Sequence, residues 1–181
     1  MENPPNATPK PTRIQRILAY RRLWVCAFAV FALDLLTKLW IARLLPRTYS
    51  HGSHGHIEVI PGFFNIVHVG NTGAAWSILE GRATLLALVA VAALVMIFFF
   101  RHTLGLRRRW TQIAFGLLCG GIAGNLLDRL RHADGHVVDF LDFRFGSYAY
   151  PAFNIADAGI CVGVAMYVLI TLFTRAPEQK K

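Results

Sequence analysis

Apolar residues in this chain gather into four blocks, each close to the length of a membrane crossing, separated by stretches in which charged residues, glycines and prolines concentrate. The clearest is Ala83 to Phe100, an uncharged run of 18 residues. As a helix it reaches about 27 Å, near the roughly 30 Å of a bilayer's hydrocarbon core. Three further blocks predict spans over about 23–42, interrupted by Asp34 and Lys38, about 110–127, rich in glycine, and about 155–174, interrupted by Asp157. With about 83–100 as the second span, the pattern predicts a mainly α membrane protein of one domain, residues 1–181, built as a four-transmembrane-helix bundle.

The segments between the spans carry a second period. Around a Pro61-Gly62 turn, Ile57, Val59, Ile60, Phe63, Phe64, Ile66, Val67 and Val69 read as short strands apolar on both faces, so the sheet they form should rest on the membrane. Asn71-Thr72-Gly73-Ala74-Ala75-Trp76 then supplies a turn and an aromatic anchor. From Val137 to Phe145 the alternation puts Asp139, Leu141, Phe143 and Phe145 on one side of an extended segment. Tyr148, Tyr150 and Phe153 suit an interfacial belt.

A hydrophobic content of 55% excludes an ordinary water-soluble domain, whereas a net charge of +9 raises the question of a nucleic-acid partner. The distribution of that charge answers it. Lys10, Arg13, Arg16, Arg21 and Arg22 precede the first span, Arg101, Arg107, Arg108 and Arg109 lie between the second and third, and Arg175, Lys180 and Lys181 follow the fourth. These are 12 of the 19 basic residues, and only Glu2 and Glu178 of the ten acids accompany them. The positive-inside rule therefore puts both termini in the cytoplasm and residues 43–82 and 128–154 outside. Membrane lipids account for the basicity, and no nucleic acid is implied. Residues 1–22 read as a disordered, basic cytoplasmic tail, with four prolines in the first eleven positions. Arg21-Arg22 before an apolar run resembles a secretory signal, but Asp34 and Lys38 argue against that reading. Cys26, Cys119 and Cys161 fall inside spans and read as small packing residues.

Topology gives the intramembrane polar residues a common depth. Asp34 and Lys38 lie in the outer half of the first span, Asn125, Asp128 and Arg129 at the outer end of the third, and Asn154 and Asp157 at the outer start of the fourth. Ionisable residues near hydrocarbon are costly, and their convergence on one layer marks a candidate site. Asp34 and Lys38 are spaced i,i+4 and can pair on one helix face. Gly116, Gly120 and Gly124 give the third span a smooth face, for close helix packing or as a lipid-accessible groove. His51, His54 and His56 sit in a glycine-serine loop with no spaced acidic or cysteine partner, so no metal is expected.

Five blocks in order complete the reading: Asp34-x-x-x-Lys38, Asn71-x-Gly73-x-Ala75, Gly120-Gly121-x-x-Gly124-Asn125-x-x-Asp128-Arg129, Val137-Val138-Asp139-Phe140 and Phe153-Asn154-x-Ala156-Asp157. In these the chain closely resembles bacterial lipoprotein signal peptidase, also called signal peptidase II. The resemblance implies a four-span inner-membrane aspartic endopeptidase with a small extracytoplasmic β-cradle on the periplasmic side. Its substrates would be diacylglyceryl-modified prolipoprotein signal peptides, cut just before the lipidated cysteine. It implies Asp139 and Asp157 as the catalytic pair, Asn71, Gly121, Asn125, Arg129 and Asn154 as substrate-binding or site-organising residues, and Asp34, Lys38 and Asp128 as structural support. It also implies a monomer without metal or cofactor, and sensitivity to lipopeptide inhibitors of the globomycin type. Ala158 stands where many relatives carry serine and Trp76 where phenylalanine is usual.

Two close carboxylates in a low-dielectric site share one proton, so one can accept a proton from an attacking water while the other donates to the scissile carbonyl. Rival readings are a small proton-coupled membrane transporter, which needs polar residues through the full membrane depth, and a non-catalytic lipoprotein chaperone, which would tolerate loss of either aspartate.

Overall fold

The computed structural model describes residues 12–47 and 55–173, except the side chains of Arg16 and Ser77. His51 and His54, and the proline-rich first eleven residues, lie outside the described residues.

The tail is not disordered through residue 22. Arg13–Leu18 forms a short helix, α1, because a capping box satisfies its first amides: Thr12 Oγ1 accepts from the Gln15 amide at 3.2 Å and Gln15 Oε1 accepts from the Thr12 amide at 2.9 Å. The chain turns at Ala19 and Tyr20 into Arg21–Leu44, α2. After the first two strands come Ala83–Phe99, α3, and Arg109–Arg131, α4, with Ile155–Phe173, α5, last. Among the described residues, α2, α4 and α5 are long and apolar enough to cross a membrane, whereas α3 is a shorter apolar helix of 17 residues. Helix α4 runs past the expected end at 127, so Asp128 and Arg129 belong to its last turns rather than to a loop. Phe28, Leu36, Leu88, Phe99 and Leu172 are exposed, an apolar surface that water would not tolerate and lipid would.

Glycine lets α4 lie against two neighbours at once. A Cβ on Gly120 would come within 2.5 Å of the Ala27 carbonyl oxygen, and one on Gly116 within 2.8 Å of that of Leu23, so this face is filled by α2 and leaves no groove there. Gly124 abuts the Asp34 carboxylate. Gly121 faces the other way, against the Ala156 carbonyl in the first turn of α5, and Gly163 of α5 returns the contact near the Ala114 carbonyl. Two glycine edges therefore set the distance from α4 to α2 and to α5.

The extended segments form one antiparallel sheet in the order Ile57–Ile60 (β1), Phe64–Asn71 (β2), Val137–Phe145 (β3) and Tyr148–Ala149 (β4). The register pairs Val69 with Asp139, Asn65 with Asp142 and Asn71 with Val137. One face of β3 is pinned to the helices, since Val138 and Phe140 are buried with Ile41 near the end of α2 and pack on Ile155 at the start of α5. The aromatic side chains make a continuous patch: Phe143 meets Phe63, Phe64 and Phe153, and Tyr150 links Phe153 to Trp76. Leu141 of β3 forms an isolated bridge with Phe153, outside the strands, and so carries β3's register directly to the residue before α5's N-cap.

Gly121→Val tests the helix spacing. The added branches must displace backbone at Ala156 and the Ile160 side chain, so we expect a loss of about 1–3 kcal/mol, the range for overpacking, read as a lower thermal midpoint of the detergent-solubilised protein.

Candidate active site

Asp139 and Asp157 reach the same place from different elements. Asp139 is carried on β3 and Asp157 on the first turn of α5, and the Leu141–Phe153 bridge joins the two. Helix α5 starts with a reciprocal cap: Asn154 Oδ1 accepts from the Asp157 amide at 2.9 Å, and Asp157 Oδ2 accepts from the Asn154 amide at 3.2 Å. That cap fixes the Asp157 carboxylate beside Asn154.

Two asparagines then connect the acids, and a third holds Asp139. Asn154 Nδ2 donates to Asp139 Oδ1 at 2.7 Å, and Asn125 Nδ2 donates to Asp157 Oδ1 at 2.7 Å. Asn154 Nδ2 also reaches Asn125 Oδ1 at 3.2 Å, which closes a chain from one aspartate to the other. Asn71, at the end of β2, donates to Asp139 Oδ2 at 3.0 Å while its own oxygen accepts from the Gly73 amide at 2.9 Å. Arg129 Nη2 donates to the Gly73 carbonyl at 2.8 Å, so α4 holds the turn that positions Asn71.

Beneath this layer lies a dry ion cluster. Lys38 Nζ stands 2.7 Å from Asp34 Oδ2 and 2.9 Å from Asp128 Oδ2, all three side chains being 0–1% exposed. Each carboxylate also holds backbone: Asp34 Oδ1 accepts from the Ala156 amide at 2.9 Å, and Asp128 Oδ2 from the Val138 amide at 3.3 Å. The cluster thus anchors the starts of α5 and β3, the two elements that bear Asp157 and Asp139.

Electrostatics separates the two acids. Asp139 is 2% exposed while Asp157 is half-buried. Burial, and next the negative charge of Asp157, push Asp139 up to about 8, against the smaller opposing pull of Asn71, Lys38 and Asn154. Burial therefore favours the protonated form of Asp139. The arrangement links a buried acid to a partly accessible one through Asn154 and Asn125.

A protein-family profile described as signal peptidase (SPase) II matches residues 26–173. The chain belongs to the signal peptidase II family. The family match takes in every residue of the acid pair, the asparagine chain and the ion cluster, and leaves α1 outside. A lipoprotein signal peptidase of Nostoc punctiforme is 39% identical over 88% of this chain and 94% of its own length. One of Aeromonas hydrophila is 41% identical over 82% of this chain and 86% of its own. Among solved structures, a bacterial membrane enzyme determined by the in meso method at 2.3 Å resolution superposes with a TM-score of 0.75 at 32% identity, covering 88% of this chain and 92% of the other.

Every site residue expected from the sequence falls in or next to this network, with a division of labour the sequence did not reveal. Gly121 meets α5 rather than the acids, and organises the site by spacing. Asn125 and Arg129, spaced i,i+4 on α4, touch through the Asn125 carbonyl, 3.4 Å from Arg129 Nη1. Sequence reasoning missed the backbone donors at Ala156 and Val138, which carry no residue-type signal. It also missed Asp142, fully buried on β3, which accepts from Asn65 Nδ2 at 3.1 Å and pairs with Arg144 Nε at 3.0 Å. Its signal was a second acid in a mostly apolar strand, two residues before Arg144.

Asn154→Ala removes the α5 cap, worth about 1 kcal/mol, and a donor to buried Asp139, worth about 1–3 kcal/mol. We expect a lower thermal midpoint, with Asn154→Ser recovering the share due to the cap.

Proposed function

We propose that this protein is an aspartic endopeptidase that removes signal peptides from diacylglyceryl-modified prolipoproteins, cutting just before the lipidated cysteine. The observation that carries the reading is the buried Asp139 joined to half-buried Asp157 through Asn154 and Asn125, in a member of the signal peptidase II family.

In the reaction, a water oxygen attacks the scissile carbonyl carbon while its proton passes to the Asp157 carboxylate. Asp139 gives its proton to the carbonyl oxygen, which offsets the charge developing there. The resulting gem-diol collapses as Asp157 protonates the departing amide nitrogen and Asp139 recovers its proton, so the pair ends as it began. Asn71, Asn125 and Asn154 hold the carboxylates, and Arg129 braces the turn at Gly73 on the substrate side. No step calls for a metal or cofactor.

Placement follows from the same features. Helix α3, about 25 Å long at 1.5 Å per residue, is the second of four spans, shortened where the bilayer can thin or the helix stand upright. The arginines at 21, 22 and 107–109 support a reading in which those helix ends and both termini are cytoplasmic, the acids lie at the periplasmic surface of a bacterial inner membrane, and the aromatic patch of the sheet rests at the lipid surface as a cradle. Water and a lipidated helix can both arrive there. The enzyme acts as a monomer, and lipopeptides of the globomycin type would compete for the same site. A proton-coupled transporter fits less well: in the cytoplasmic part of α4 the buried Gln112 is already engaged as a donor to the Ala19 carbonyl at 2.8 Å.

Asp139→Asn and Asp157→Asn, assayed separately on a diacylglyceryl-modified prolipoprotein, are each expected to lower cleavage by roughly 10²–10⁴-fold or more, the range for loss of a general acid or base. Cleavage at the normal rate by either variant would refute the assignment. The pH profile has a definite sign. Asp139 must be protonated to act and loses its proton as pH rises through about 8, so activity should fall on an alkaline limb near that value. Because its carboxyl is held above the ordinary value of about 4, burial of the charged form costs stability progressively as pH rises from about 4 towards about 8. Asp139→Asn should therefore gain thermal stability relative to the wild type as pH is raised across that window.

A further inference from the structure

The hydrogen-bond network of the acid pair starts from a cation that touches neither acid. Lys38 Nζ has no exposed surface and reaches three oxygens: Asp34 Oδ2 at 2.7 Å, Asp128 Oδ2 at 2.9 Å and Asn125 Oδ1 at 2.9 Å. An ammonium has three donors and no acceptor, so all three are used.

A carboxamide turned end for end exchanges its acceptor and its donors, so its direction is set by its neighbours. Asn125 Oδ1 faces two donors, the Lys38 ammonium and Asn154 Nδ2 at 3.2 Å, and its Nδ2 consequently faces Asp157 Oδ1 at 2.7 Å. Asn154 is directed independently, because its oxygen takes the Asp157 amide. If Asn125 were reversed, its NH2 would oppose an ammonium and a second NH2, while its oxygen would face the Asp157 carboxylate. The ammonium makes the larger difference, since its bond to Asn125 is charge-assisted and shorter than the neutral one from Asn154.

We infer that Lys38 is a positioning residue for the reaction: its ammonium locks the Asn125 carboxamide so that an N–H, and not a lone pair, meets Asp157. The inference rests on the reading of Asp139 and Asp157 as the catalytic pair. Asp34 and Asp128 have a separate part. They balance the charge and hold the Ala156 and Val138 amides, and Asp128 has a further partner in Arg131 Nη2 at 3.5 Å.

The charged surroundings give the inference a readout that folding alone would not move. Lys38 faces Asp34 on its own helix and Asp128 on α4, and its charge acts on Asp139 of β3; Asp139 in turn faces Asp157 from α5 and Arg129 from α4. Lys38 is a cation that favours ionised Asp139, so its removal lets Asp139 keep its proton to higher pH.

The test uses the full chain in lipid nanodiscs and a diacylglyceryl-modified prolipoprotein, with Lys38→Met, Lys38→Met/Asp34→Asn, Asp34→Asn and Asp157→Asn. The double variant removes the carboxylate that Lys38→Met would strand, while Asp128 keeps the Val138 amide and Arg131. We expect both Lys38 variants to lose roughly 10²-fold in kcat per folded molecule, the scale of a small misplacement, with KM little changed and the alkaline limb above its wild-type position. Asp34→Asn alone should keep the limb in place. A folded Lys38 variant with wild-type kcat and limb, or a loss traced wholly to the amount of folded protein, overturns the inference. Should neither Lys38 variant fold, NMR of the wild type labelled with ¹⁵N-asparagine decides: a single hydrogen-bonded Asn125 side-chain amide across the alkaline limb supports the lock, and exchange between two orientations overturns it. Asp157→Asn separates the failures. If it cleaves normally the catalytic pair is wrong, whereas if it is inactive beside fully active Lys38 variants only the role of Lys38 is.

Discussion

A carboxylate removed from water must be met by donors, and this structure keeps four of them nearly dry: Asp34, Asp128, Asp139 and Asp142 are each 0–2% exposed. The donors come from several elements: an ammonium on α2, carboxamides on β2 and at the α5 cap, a guanidinium on β3, and backbone amides at Val138 and Ala156. Satisfying the acids therefore ties strands and helices together at one level. The glycine edges of α4 follow from this, because the donors reach only if the helices approach to near backbone contact.

The same requirement produces asymmetry between Asp139 and Asp157. Asp139 lies on a strand whose neighbours Val138 and Phe140 are sealed by Ile41, so it is buried with the strand. Asp157 sits in the first turn of a helix, where the cap leaves it half-open. Burial on the strand, with the negative charge of Asp157 beside it, thereby favours the protonated form of Asp139, while the helix start leaves Asp157 partly accessible to solvent.

The sheet has two unlike surfaces for two purposes. Val138 and Phe140 face the helices, and the aromatic series Phe63, Phe143, Phe153, Tyr150 and Trp76 makes a continuous patch. The Leu141–Phe153 bridge then makes the sheet's register the coordinate on which α5, and with it Asp157, is placed.

Several of these features were legible in the amino-acid order, because they depend on period and position. The apolar blocks, short strands within 57–69 and an extended segment over 137–145, and the i,i+4 pairing of Asp34 with Lys38 are local, and local chemistry writes them directly, whereas Asn71, expected in the following turn, is the last residue of β2. The short helix Arg13–Leu18 was equally local, its Thr-x-x-Gln box passing unread among the neighbouring prolines. What the sequence by itself determined is therefore which residues occupy the polar layer and which helices and strands carry them. The tertiary structure alone decided how they meet: the direction of each carboxamide, the backbone amides that hold Asp34 and Asp128, the face of α4 that each glycine serves, and which of the two acids is sealed from water. These depend on contacts between segments up to 122 residues apart, as between Asp34 and Ala156 at 2.9 Å, and residue type does not encode a hydrogen bond's direction until both partners are in place.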